Sequence, residues 1–168
     1  GDAVGSVTLN SDTTLKSSID VAIANNLVFT GNGQKILNSV DASTLEIVNA
    51  MTGTGGFIKV GTGTLKLDAT NTYVGDTVIN QGTVIVGQQA SLGSGAVTLQ
   101  AGTTLETAAN LDNILQLTGD NNSSTATDTV NLVVAQGQSS TLSQVVKGDA
   151  GLIKSGTGTL TLHAANTY

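Results

Sequence analysis

Residues 56–73 read Gly56-Phe57-Ile58-Lys59-Val60-Gly61-Thr62-Gly63-Thr64-Leu65-Lys66-Leu67-Asp68-Ala69-Thr70-Asn71-Thr72-Tyr73. The same phrase returns at residues 151–168 as Gly151-Leu152-Ile153-Lys154-Ser155-Gly156-Thr157-Gly158-Thr159-Leu160-Thr161-Leu162-His163-Ala164-Ala165-Asn166-Thr167-Tyr168. The offset is a constant 95, and 13 of the 18 aligned residues are identical. A fixed internal period marks a repeat architecture. The likeness extends outward. Val7–Lys16 matches Val97–Glu106 at an offset of 90, and Leu27–Gly31 echoes Leu115–Gly119 at 88. The second copy therefore gains about seven residues after Gly119, and the polar run 120–128 is where they fit. The chain divides into one copy over 1–95 and a second, truncated copy over 96–168, with an inserted surface loop at 119–129. It reads as a slice of a longer array.

Short runs of Val, Leu, Ile and Thr alternate along the chain and end in glycine-rich turns about every 8–12 residues, the pattern of an all-β fold. In the block, Leu65 and Leu67 point one way and Thr64 and Lys66 the other. Asn71 and Asn166 are placed at left-handed corners, which Asn tolerates best after Gly. The long period selects a solenoid, because one coil cannot bury its own apolar face and must stack on the next. Coils of about 20–25 residues give roughly seven coils, a repeat about four coils long and a rod of roughly 35 Å. Solenoid ends expose open strand edges, so the isolated chain is expected to associate end to end.

Composition narrows the function. The 168 residues include 21 Gly but no Pro, Cys, Trp or Arg, and only 2% are aromatic. Hydrophobic content of 39% excludes a disordered chain. The net charge is −6, and the six lysines are scattered rather than clustered. Nucleic-acid binding needs clustered cations and stacking aromatics, so it is set aside. Anionic membrane attachment fails on the same ground. Without cysteine there is no disulfide framework or thiolate metal site.

The block 56–73, continued by Val74-Gly75-Asp76-Thr77-Val78-Ile79-Asn80-Gln81-Gly82-Thr83-Val84, resembles the autotransporter passenger-associated repeat. The match runs through Lys59, the Gly61-Thr62-Gly63-Thr64-Leu65 turn, Asn71-Thr72-Tyr73 and Gly82-Thr83, and departs at Phe57 and Val84, where the family has Leu. The resemblance implies a right-handed parallel β-helix in a surface-displayed or secreted passenger of Gram-negative type V secretion. Such a passenger is exported through an outer-membrane β-barrel of the same polypeptide. The resemblance carries over no catalytic residue and no cofactor. Gly61, Gly63, Leu65, Leu67, Asn71 and Tyr73, with Gly156, Gly158, Leu160, Leu162, Asn166 and Tyr168, are its structural positions.

Sites of chemistry are weighed against plainer readings. Gly61-Thr62-Gly63 lacks the Gly-Lys-Ser/Thr ending of a phosphate loop and reads as a turn. His163, aligned with Asp68, reads as exposed. The carboxylates are dispersed and no Arg accompanies them, which leaves little for a glycosidase or lyase. Asp120-Asn121-Asn122 resembles the start of a calcium loop, but Thr125 stands where such a loop has Gly and Asn131 where it has Glu. It reads as a solvated loop, and Asp120, Asn121, Asn122 and Asp128 are the candidate interaction residues. The expected function is a non-enzymatic, β-helical stalk of an adhesin. The alternatives are a module that itself binds a host receptor, matrix or glycan or self-associates, and part of a toxin or signalling passenger.

Overall fold

The computed structural model describes residues 5–87, 92–119 and 128–168. Among these there are strands and turns but no helix, and the strands wind into a parallel β-solenoid of about seven coils. The chain visits three faces in turn.

The second face is one sheet of β2 (Thr14–Ser17), β5 (Lys35–Ser39), β8 (Phe57–Val60), β10 (Thr77–Ile79), β12 (Val97–Gln100), β14 (Leu115–Thr118) and β17 (Val146–Gly148). The third face stacks β3 (Val21–Ile23), β6 (Thr44–Ile47), β9 (Thr64–Leu67), β11 (Thr83–Val86), β13 (Thr104–Thr107), β15 (Thr129–Val133) and β18 (Gly151–Ser155). The first face opens with β1 (Ser6–Leu9), β4 (Asn26–Phe29) and β7 (Met51–Gly53) and closes with β16 (Ser139–Leu142) and β19 (Thr159–Leu162). Between them it runs through segments that keep lateral backbone bonds without strand geometry. Thr72 N donates to Met51 O at 2.9 Å, Ser94 N to Tyr73 O at 3.1 Å and Leu111 N to Thr141 O at 2.9 Å. Every strand pair is parallel, as a chain that always winds the same way requires.

Alternation dictates the interior. Leu45 and Ile47, Leu65 and Leu67, Val84 and Val86 are buried on the third face, and each pair stacks in register on the next. Their outward neighbours form a ladder of Thr44, Thr64, Thr83 and Thr104, where a β-branched side chain packs well on the pleat. Three of the four aromatics meet at one level of the core. The Phe29–Phe57 ring centroids lie 6.3 Å apart, and Tyr73 sits 5.6 Å from each. Elsewhere the hydrophobic cluster is built from Leu, Ile, Val, Met and Ala.

Two expectations are corrected. The apolar-flanked run Leu142-Ser143-Gln144-Val145-Val146 reads in sequence as one strand, but it breaks at 143–145, where the chain turns from β16 on the first face to β17 on the second. Asn71 and Asn166 are not left-handed corners. Among the described non-glycine residues positive φ falls at Asp12 (62°) and Asp41 (52°). The two asparagines serve through their side chains: Asn71 Oδ1 accepts Met51 N at 2.7 Å, and Asn166 Oδ1 accepts Val146 N at 2.8 Å. Each replaces a ladder bond to the preceding coil at a point where backbone pairing lapses, so the buried amide keeps a partner.

Candidate functional site

Two features of the solenoid are candidates for function: the corner that carries the insertion, and the repeated turn with its lysine. On the second face, partners in successive coils lie 18 to 22 residues apart from Thr14 to Leu115. Leu115 and Val146 are 31 apart. Most of the extra chain falls between β14 and β15, at the corner of the second and third faces, and a smaller part between β15 and β16. Asp120, Asn121 and Asn122 lie outside the described residues. The two stems of this corner are anchored to the following coil. Gly119 N donates to Asp149 Oδ1 at 2.8 Å, and Asp128 O accepts Gly151 N at 2.7 Å. Asp128 itself is half-buried.

The repeated turn is built on glycine for two reasons. Gly61 has φ 79° and Gly156 has φ 73°, a region that disfavours any Cβ. Gly63 and Gly158 are pressed on the coil below, where a Cβ would stand 2.4 Å from Ser43 O and 2.3 Å from Ala135 O. Beyond the turn, Leu65 and Leu67 are fully buried, while Leu160 is half-buried and Leu162 is exposed on the last described coil. Tyr73 is buried, and its hydroxyl shares a 2.5 Å hydrogen bond with Thr77 Oγ1. Burial pushes the Tyr73 phenol well above its ordinary range despite that bond. Tyr168 is 47% exposed.

Sequence reasoning missed the lysines. In β8, Phe57 and Lys59 face inward while Ile58 and Val60 face outward, and Lys59 is fully buried. Its ammonium donates to Gly61 O at 2.7 Å, Val60 O at 3.0 Å and, across to the next coil, Gln81 O at 3.2 Å. Burial pushes the Lys59 ammonium down to about 8. Lys154, its counterpart, makes the same two bonds in its own turn, to Gly156 O at 2.7 Å and Ser155 O at 3.0 Å, but is exposed. Lys35 is also fully buried, on Gly33 O at 2.7 Å and Gly31 O at 2.9 Å. The signal was available: alternation that sends Phe57 inward must send Lys59 with it.

Lys66, on the outer third face, donates to Glu46 Oε1 at 2.5 Å and Asp68 Oδ2 at 2.8 Å. Those carboxylates, Asp68 first, hold its ammonium above its ordinary range. The Lys66 side chain is 39% exposed, and pairs this open to water add little stability. His163 is exposed.

Comparison with known proteins follows the repeat. The model of the passenger-associated-transport-repeat matches residues 57–86 and 152–168. The chain is 31% identical over 124 residues to the adhesin BmaC autotransporter of Brucella suis biovar 1 (strain 1330). That alignment covers 70% of this chain and 4% of the relative, so the chain spans a small part of that protein's length. No solved structure matches the chain.

Proposed function

We propose, from the premise that this chain is a β-solenoid segment carrying passenger-associated transport repeats, that it serves as the stalk of a surface-displayed adhesin. On this reading the segment belongs to a Gram-negative autotransporter passenger, exported through an outer-membrane β-barrel of the same polypeptide, and holds a binding activity away from the cell. The observation that carries the reading is the continuous lateral pairing of the second and third faces. Two seven-stranded parallel sheets run from coil to coil with the core filled beneath them. A continuous ladder of this kind makes a stiff spacer out of residues that need no ligand. The resemblance to the Brucella adhesin supports placing the spacer in an adhesive passenger.

A second reading rests on the long coil at the corner of the second and third faces. The stems at Gly119 and Asp128 are bonded to the following coil, and on this reading the polar residues between them make a direct contact with a host receptor, matrix or glycan, or with another copy. Beads coated with the chain, and with a variant lacking 120–127, separate the two on epithelial cells and on each other. The stalk predicts inert beads in both cases. Binding that disappears with the loop overturns the stalk for this segment. Clumping that survives its removal places self-association on a flank or an end.

A further inference from the structure

The two copies of the repeat do not lie on the same faces. The aligned strands make this plain. β1 is on the first face and its counterpart β12 on the second; β2 is on the second and β13 on the third. β4 and β7 are on the first face, while β14 and β17 are on the second. β8 moves from the second to the third as β18, and β9 from the third to the first as β19. All of these pairs advance by one face. The repeat is thus four coils and one third, not four.

Local structure is preserved through the shift. Gly53 and Gly148 keep positive φ at 113° and 140°, as do Gly61 and Gly156. Lys59 and Lys154 reach the same two carbonyls at the same distances. Asn71 and Asn166 accept the same amide. The second copy is the first turned bodily by one face and raised about 21 Å at ~4.8 Å per coil.

We infer that tandem copies of this repeat show their equivalent surfaces on successive faces of the rod. Anything attached once per copy at an equivalent position is then distributed around the rod rather than in a row along one flank. The same surface returns to one face after three copies, thirteen coils or about 62 Å. This inference rests on the proposed exposed rod, but on the phase of the repeat rather than on any particular ligand.

The chain has no cysteine, so labels can be placed at will. Thr62→Cys with Thr157→Cys marks equivalent exposed turns, at the second–third corner and the third–first corner. Thr62→Cys with Asp149→Cys marks two exposed sites on one corner, four coils or about 19 Å apart. Each pair is labelled with fluorescein and titrated with an anti-fluorescein Fab, a body far wider than either axial separation. Light scattering then counts the Fabs bound per chain. The expected result is two Fabs on the 62/157 pair and one on the 62/149 pair, with one on each single-cysteine chain. Equal counts on the two pairs overturn the one-face advance. Because no natural ligand enters, this outcome is independent of the bead assay that tests the stalk.

Discussion

Replacing Lys59 with Met tests whether the repeated lysine is an internal cation that couples one coil to the next. The substitution keeps the length and apolar stem of the side chain and removes only the ammonium. Three backbone acceptors lose their donor: Gly61 O, Val60 O and Gln81 O, at 2.7, 3.0 and 3.2 Å. A buried acceptor without a partner costs about 1–3 kcal/mol; Val60 and Gly61 are half-buried while Gln81 is exposed to water, so with two such acceptors the gross loss is roughly 2–6 kcal/mol. Against this, Met no longer buries a charge, and relief of ammonium desolvation returns several kcal/mol. The expected net loss is about 2 kcal/mol. Lys154→Met is the control within the same chain. Its ammonium bonds two carbonyls in an exposed turn, where water can take its place, so the loss stays below about 0.5 kcal/mol. Urea unfolding at pH 7 by far-UV circular dichroism gives both shifts in midpoint, and amide exchange at Gly61 and Thr83 localises the first. The reasoning fails when Lys59→Met loses no more stability than Lys154→Met.

The remaining predictions use the same chain. Gly61→Ala and Gly102→Ala both force a Cβ onto a positive φ, 79° and 80°, but only at Gly61 would it meet a carbonyl, Ser39 O at 2.3 Å, while nothing lies within 4 Å at Gly102. Gly102→Ala should lose about 1 kcal/mol and Gly61→Ala clearly more; equal thermal midpoints would remove the steric argument. Tyr73→Phe deprives Thr77 of its 2.5 Å partner while keeping the aromatic cluster, for a loss of about 1 kcal/mol in urea unfolding; an unchanged midpoint would mean that the hydroxyl pair is not held. For pH, Lys59 titrates near 8 when folded and near 10.5 when unfolded. Between those values the unfolded chain binds the extra proton, so stability should rise with pH from about 8 to 10.5. Lys59→Met should remove that rise, and a parallel profile in the variant would assign it elsewhere.

The fold was legible because its rules are local. The Gly61-Thr62-Gly63 turn, the Leu65/Leu67 alternation and the fixed period lead to an all-β solenoid; that its strands run parallel was implied by the resemblance to the passenger repeat. Less was legible where a residue's role depends on the coil beside it. Asn71 looks like a corner residue on its own; only the Met51 amide of the preceding coil makes it a side-chain acceptor. Lys59 looks like a surface cation because lysine is seldom buried, and the carbonyls that hold it belong to a turn and a neighbouring coil. The phase of the repeat was hidden for a different reason. One third of a coil is about seven residues, which the scatter in coil length easily absorbs, so an offset of 90 to 95 does not distinguish four coils from four and a third. The offset of the repeat pointed to extra chain after Gly119, and the strand register shows a longer coil there, 31 residues from Leu115 to Val146. The chemistry of that stretch was not legible, since Asp, Asn, Ser and Thr in a polar run suit solvent as well as a ligand.

The way the chain climbs also determines how it would behave under load. Each coil adds about 5 Å of rod but contains 18 to 22 residues in the regular region of the second face. Pulled between its ends, the rod can shed coils singly from an open end. Each coil that peels away releases about 70 Å of extended chain at 3.3–3.6 Å per residue. The coil between Leu115 and Val146, with 31 residues, would release about 100 Å. A rod of this kind is short and stiff at rest yet yields slack in steps when its ends are drawn apart. On the proposed stalk reading, work done by shear would go into unwinding single coils before it loaded the bond at the far end.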